Sequence, residues 1–363
     1  VPCGWPDNRL IDLFEIEHPI ILAPMAGAMD AALAAEVSEA GGLGSLPCAM
    51  LTPAQLRDQF AQIRARTDKP VNVNFFCHTA PVPNNAREAR WRDKLKPYYE
   101  EFGIDPSAPV PTSNRAPFDT AFCEVIEELK PQVVSFHFGL PADELMRRVK
   151  AAGCRVISSA TTTAEAVWLE QHGVDAVIAQ GFEAGGHRGM FLTDNIATQV
   201  GTFALVPQIA DNVKVPVIAA GGIGDARGIA AAFALGACGV QVGTAYLYCP
   251  EVKIAAPHRA AMQAARDDAT ALTNVMSGRP ARAFINRIMR EVGPISDVVP
   301  EFPLAAGALA PLRAKAEAAG SGAFSPMLSG QAAALGREMG AAELTKRLAA
   351  EAQDQLRRLA VLS

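Results

Sequence analysis

Eight short apolar runs recur along the chain, most of them followed by a loop and then a segment with helical character. They are Ile20–Ala23, Leu43–Leu46, Val71–Phe75, Val133–Phe136, Arg155–Ser158, Ala176–Ala179, Val215–Ala219 and Val240–Val242. Most of their starts lie about 20 to 27 residues apart, the length of one strand plus one crossover helix. The runs are apolar throughout rather than alternating, as expected when both faces of a parallel sheet are covered. Helices are signalled at Asp30–Ala40, Pro53–Arg66, Asp119–Leu129, Ala142–Ala151, Thr163–His172 and Asp225–Leu235, and Gly41, Gly153, Gly173 and Gly236 supply stops. Eight parallel βα units favour an α/β chain closed into a (β/α)8 TIM barrel over an open sheet.

Two intervals break this pattern. The stretch 78–117 is rich in proline and polar residues (PVPNN, APVPTSNRAP), and reads as a long loop after strand three with a helix around Ala86–Glu100. Beyond Cys249 no strand pattern continues, and helices are expected near Lys253–Arg266, Ala281–Val292, Leu304–Ala319, Gln331–Glu338 and Ala342–Leu359. The last suits the barrel's eighth outer helix. The expected organisation is therefore a barrel of residues 1–249 plus about 339–363, with a helical, substrate-capping insertion over about 250–338. A chain of 363 residues, 50% hydrophobic, can bury cores of that size.

Several function classes are disfavoured. Net charge is −5 with no block of like charge, which argues against nucleic acid as a partner. Gly228–Pro250 is uncharged and long enough to span a bilayer, but Gly236 and Gly239 divide it into a helix-like and a strand-like half, so no membrane partner is expected. The first residues, VPCGWPDNRL, carry no basic region followed by an apolar core, so no secretory signal is expected. Seven cysteines without a CxxC pair suit free thiols in a reducing cytosol, hence a cytoplasmic location. No HExxH or Cys/His spacing suggests a metal site.

In barrels of this kind the active site lies at the C-terminal ends of the strands, and the unusual residues gather there. Strand one ends Ala23-Pro24-Met25-Ala26-Gly27, strand three contains Asn74, strand four leads to His137, and strand six runs into QGFEAGGHRG, residues 180–189. Strand seven ends in Gly221-Gly222-Ile223-Gly224-Asp225 and strand eight in Gln241-Val242-Gly243-Thr244. Glycine loops in those last two places are where such barrels bind phosphate, because backbone N–H groups can approach an anion at a helix N-terminus. Pro24, Met25 and Ala26 offer small apolar backbone to a flat ligand, and Asn74 and Gln180 offer amides that donate and accept. Those features suit a flavin ring, yet by themselves reach only a phosphate-bearing ligand in a barrel. Between Gly185, Gly186 and Arg188, His187 is either a surface residue of a turn or a proton acceptor. His137 is either a pocket wall or a satisfied buried histidine. His18, His78, His172 and His258 read as structural, Asp225 as a helix cap and Glu183 as a loop residue.

Taken in order, ILAPMAG, NVNFF, QGFEAGGHRG, AAGGIGD and QVGT resemble the nitronate monooxygenase family, formerly the 2-nitropropane dioxygenases. The resemblance covers residues 18–249 and extends to Ser329-Gly330-Gln331; FFCH, Trp91 and PYYEEFG resemble the bacterial and fungal class whose catalytic histidine sits in GGHRG. It implies non-covalent FMN. Asn74, Gln180, Gly185, Gly186, Gly222, Gln241, Val242, Gly243 and Thr244 match cofactor positions, with Gly221, Gly243 and Thr244 at the phosphate and Pro24, Met25 and Ala26 near the ring. His187 matches the catalytic base, and Gln331 a substrate position. The implied reaction is oxidation of an alkyl nitronate, or a nitroalkane, by O2 to a carbonyl compound and nitrite or nitrate. Propionate 3-nitronate is the implied substrate and detoxification the implied role, and its carboxylate would need a cation, for which Arg188 is a candidate. The rivals are an NADH-linked enoyl-thioester or quinone reductase on the same FMN site, and a non-redox barrel that binds a phosphorylated metabolite.

Overall fold

The computed structural model describes residues 4–113 and 115–360; Cys3 lies outside the described residues. Its strands are β1 (Ile20–Leu22), β2 (Gly44–Pro47), β3 (Val71–Phe76), β4 (Val133–His137), β5 (Arg155–Ala160), β6 (Ala176–Gln180), β7 (Gly186–His187), β8 (Val217–Ala220), β9 (Gly239–Val242), β10 (Thr270–Thr273) and β11 (Ala281–Phe284). Eight of them run parallel in the order β1-β9-β8-β6-β5-β4-β3-β2. The ring closes where Leu22 N–H donates to Leu43 O and Leu43 N–H donates to Ile20 O, both at 2.9 Å. This is the (β/α)8 barrel that the eight apolar runs indicate.

Both faces of the sheet are buried, which is why its strands lack alternation. Ile21, Leu43, Val133, Ile157, Ile178 and Ile218 fill the interior, and a short helix, Arg9–Phe14, adds Leu10 and Phe14 to the same cluster. Each such side chain taken fully out of water contributes roughly 1.5–3 kcal/mol. The six expected outer helices are present, and five of them start at a side-chain cap: Asp30, Thr52, Asp119, Thr162 and Asp225 accept from their first turns. A seventh, Thr202–Ala210, has no sequence signal of its own class, because Pro207 interrupts it and Gly201 precedes it. Its cap comes from a distance, with the Glu183 carboxylate accepting from Thr202 N–H at 2.7 Å and Thr202 Oγ1 at 2.9 Å. The helix Ala341–Ala360 packs against the helices Ala226–Ala234 and Ala31–Glu39 through Leu344, Leu348 and Ala352, as an eighth outer helix should.

The helix expected near Ala86–Glu100 is present after β3. It spans Asn85–Glu101 and buries Trp91, Leu95, Tyr98 and Tyr99. These join Leu309 and Leu312 of the helix Ala305–Ala318 in a second apolar cluster separate from the barrel core. Trp91 Nε1–H donates to Ala305 O at 3.2 Å.

Two expected elements are corrected. Ala281–Val292 reads as a helix but divides into strand β11 and a short helix, Arg287–Glu291. The strand forms because it has partners on both sides: β10 before it in sequence and β7 of the barrel's sixth loop, all antiparallel. Long-range pairing overrides local helix propensity here. Gln331–Glu338 likewise holds only a single short 3-10 turn, Ala333–Leu335.

Candidate active site

A cavity of about 430 Å³ opens at the C-terminal ends of the barrel strands. Its wall includes Pro24, Met25, Ala26, Asn74, His137, Gln180, Gly185, Gly186, His187, Gly221, Gly222, Gln241, Gly243 and Thr244. The fold therefore gathers most of the residues singled out from the sequence. Three do not reach it. Val242 alternates with Gln241 along β9 and packs into the outer apolar core. Gln331 contributes its backbone N–H to Glu183 O at 3.0 Å, while its neighbours Gly330 and Ala332 line the wall. Arg188 follows His187 in extended chain, so its side chain points to the opposite face. It is fully buried, donating from Nη1 to Gly181 O at 2.6 Å, from Nη2 to Gln180 O at 2.9 Å and from Nε to Gln199 Oε1 at 3.0 Å. That correction removes it as a substrate cation.

The loop carrying His187 is held from beneath by groups that also form the cavity wall. Gln180 Oε1 accepts from Gly189 N–H at 2.7 Å, and its Nε2 donates to His187 O at 3.0 Å. His137 Nε2 lies 3.1 Å from the same carbonyl and Nδ1 lies 3.0 Å from Ser159 Oγ. Since a carbonyl only accepts, Nε2 of His137 carries the proton. Burial pushes the His137 pKa down to about 4, so it is neutral and satisfied at both nitrogens. Both it and Gln180 thus act mainly on the backbone of the loop. Glu165, which has no sequence signature, is fully buried, and accepts from Thr161 N–H and Oγ1 and from the Phe191 and Leu192 N–H groups.

His187 itself sits in β7, paired opposite Ala281 of β11. Its Nε2 is 2.8 Å from Ser277 Oγ. Phe76, Phe138 and Phe302 present rings at 6.2, 6.1 and 5.2 Å from the imidazole centroid, all near edge-to-face. Burial drives its pKa well below the ordinary 6.5, helped by the nearby Arg115, His137, Arg279 and His78. The imidazole is therefore an unprotonated base at neutral pH, held in that state by its surroundings rather than poised at its free-solution value.

At the other end of the cavity, three loops pass closer than side chains permit. A Cβ on Gly185 would lie 2.5 Å from Gly330 N, and one on Gly221 would lie 2.9 Å from Ala184 N. Gly221 and Gly222 also have φ of 107° and 73°. The N–H groups of Gly222 and Ile223 meet no protein acceptor among the described residues. Thr244 Oγ1 accepts from Gly330 N–H at 2.9 Å, which leaves its hydroxyl proton for a ligand. Asp225 is a cap, as expected, accepting from Arg227 N–H at 2.9 Å. Deeper in, Asn74 Nδ2 donates to Ser135 Oγ at 2.8 Å. Gln241 Oε1 is buried with no donor among the described residues. A nucleotide-like group fits this wall: free N–H groups and a hydroxyl for a phosphate, apolar backbone for a ring, and an unpaired amide oxygen for a ring N–H.

The cavity also holds cations that the sequence did not distinguish from surface charge. Lys253 is paired with Asp30 at 2.7 Å and Arg313 with Glu317 at 2.8 Å. Arg115 lines the same cavity, and its guanidinium has no carboxylate partner among the described residues. No cluster of three or more His, Cys, Asp or Glu among the described residues could hold a metal ion. No described helix is long and apolar enough to cross a membrane.

Known proteins resemble the chain over almost its full length. The model of the nitronate monooxygenase family matches residues 7–351. A nitronate monooxygenase of Pseudomonas aeruginosa is 44% identical over 348 residues, 95% of this chain and 99% of that one. One from Paraburkholderia phytofirmans is 43% identical, covering 97% of each. Among solved structures, a nitroalkane oxidase from Streptomyces ansochromogenes superposes with a TM-score of 0.87 at 36% identity, covering 98% of this chain and all of that one. FabK from Thermotoga maritima superposes at 0.75 with 31% identity, covering 99% of this chain and all of that one.

Proposed function

The chain belongs to the nitronate monooxygenase family, flavin-dependent oxidoreductases, and on that premise we propose that it binds FMN non-covalently and oxidises alkyl nitronates with O2. The observation that carries this reading is the imidazole of His187 on the wall of the same cavity as the glycine loops of β8 and β9. FMN, when bound, would accept electrons from the nitronate and pass them to O2, giving a carbonyl compound and nitrite or nitrate. Gly221, Gly222, Gly243 and Thr244 would hold its phosphate, Pro24, Met25 and Ala26 its ring, and Asn74 and Gln241 its polar edge.

His187 is the proton acceptor when the substrate arrives as a neutral nitroalkane. Its depressed pKa keeps the lone pair available, and the anion formed beside it raises the affinity for the proton it has taken. For a nitronate carrying a carboxylate, such as propionate 3-nitronate, Arg115 replaces Arg188 as the cation that meets it. The stretches 78–117 and 250–338 together form the unit that covers the substrate. The described cysteines, Cys48, Cys77, Cys123, Cys154, Cys238 and Cys249, are free thiols, which supports a reducing cytosol as the site of action.

Anaerobic mixing tests the proposal. Purified protein should be yellow, and its visible band should bleach with a nitronate but not with NADH. Bleaching by NADH alone would reassign it as a reductase, and a colourless protein that gains no colour from added FMN would leave a non-redox barrel.

A further inference from the structure

We propose that Ser277 is a positioning residue: it holds His187 as the Nε2–H tautomer, so that Nδ1 presents the lone pair that takes the substrate's proton. Ser277 lies in the turn between β10 and β11 and is almost completely buried. A serine hydroxyl has one proton to donate and two lone pairs to accept with. Here Ser277 Oγ donates toward Arg279 O at 3.4 Å, and the Arg279 N–H approaches it at 3.5 Å. Directing that proton to Arg279 O leaves an Oγ lone pair to accept from His187 at 2.8 Å, and in the proposed arrangement Nε2 is the nitrogen that carries hydrogen.

The remaining nitrogen is placed for chemistry. Nδ1 of His187 has no protein partner among the described residues, yet it is not one of the polar atoms sealed from solvent, and the residue lines the cavity. The rings of Phe76, Phe138 and Phe302 offer it no acceptor. When Nδ1 gains a proton, the Nε2–H bond to Ser277 becomes charge-assisted without any group moving. The same serine therefore fixes the ring before the transfer and steadies the imidazolium after it. The charged and titratable groups that face the ring are Arg115, Arg279, His78 and His137; none of them accepts from Nε2.

The proposed tautomer rests on the contacts of Ser277, while its catalytic use rests on the base assignment above. Two-bond 15N–1H correlation on 15N-histidine-labelled holoenzyme reads the tautomer directly, His187 being identified by its absence in His187→Asn. The expected pattern is a protonated Nε2 and an unprotonated Nδ1; the opposite tautomer, or an averaged mixture, overturns the proposal. In Ser277→Ala the pattern should become mixed or inverted. Turnover of a neutral nitroalkane should then fall about ten- to a hundredfold, while that of the preformed nitronate stays within about twofold. Ser277→Thr, which restores the hydroxyl, should recover both tautomer and rate. Unchanged tautomer and rate in Ser277→Ala overturns the positioning role. A correct tautomer combined with equal losses on both substrates in His187→Asn overturns the base assignment instead, and Nδ1's catalytic use with it.

Discussion

Replacing Arg188 with methionine separates a support beneath the active site from a ligand within it. The guanidinium makes three hydrogen bonds, at 2.6, 2.9 and 3.0 Å, to two carbonyls and an amide oxygen. Bonds to a charged group contribute roughly 1.5–3 kcal/mol each, set against the cost of burying the charge. That cost is visible in the Arg188 pKa, which burial pushes down to about 10. Gly181 O also keeps a bond from Ala184 N–H at 3.1 Å, so the variant does not strand every acceptor. The net loss is about 3 kcal/mol. An unfolding entropy near 2.1 cal/mol/K per residue gives about 0.76 kcal/mol/K for the 363-residue chain, so the loss lowers the thermal midpoint by about 4 °C. The assay is thermal unfolding followed by circular dichroism, beside steady-state kinetics on propionate 3-nitronate and on an uncharged alkyl nitronate. KM should rise little, and by the same factor for both. An unchanged midpoint with a KM raised tenfold for the carboxylated substrate alone would refute the placement.

Other consequences are as open to measurement. His187→Asn should lower turnover of neutral nitroalkane by about 10²- to 10⁴-fold and that of preformed nitronate far less, read by oxygen consumption. Because its pKa lies below 6.5, the wild-type rate on neutral nitroalkane should not fall as pH drops through 6.5, but only well below it. Arg115→Met should raise KM for propionate 3-nitronate by about tenfold or more and leave that for an uncharged nitronate within about twofold, a loss of one desolvated charge pair. His78, His137 and His258 are held near pKa 4 by burial, so the unfolded chain binds protons first as pH falls from 6.5. Stability should therefore be full above 6.5 and decline toward pH 4, the thermal midpoint dropping most steeply between those values.

What could be read from the chain ahead of its structure divides along the range of the interactions. The barrel strands and the helices capped by Asp30, Thr52, Asp119 and Thr162 depend on residues within a few positions, and all are legible. Strand β11 is not, because its sequence ARAF runs directly into the helical Arg287–Glu291 and one of its two partner strands, β7, lies almost a hundred residues earlier. The helix Thr202–Ala210 was hidden for the same reason, its cap being Glu183. Of the site, the glycine loops and His187 stood out by composition. Ser277 did not, since SGRP is ordinary turn chemistry. Arg188 is legible only as a candidate cation of unstated direction, although a signal exists: neighbours in an extended segment point in opposite directions. Arg115 sits in a proline-rich stretch that looks like solvated loop, and no local signal marks it as a residue that lines the cavity.

The antiparallel pairing of His187 with Ala281 rivets the barrel's sixth loop to the strands that follow residue 250. A trapdoor hinged anywhere along β10 or β11 would strip the imidazole of Ser277 and of its own strand partner in the same motion. Such an opening would therefore forfeit the contacts that hold the imidazole in place.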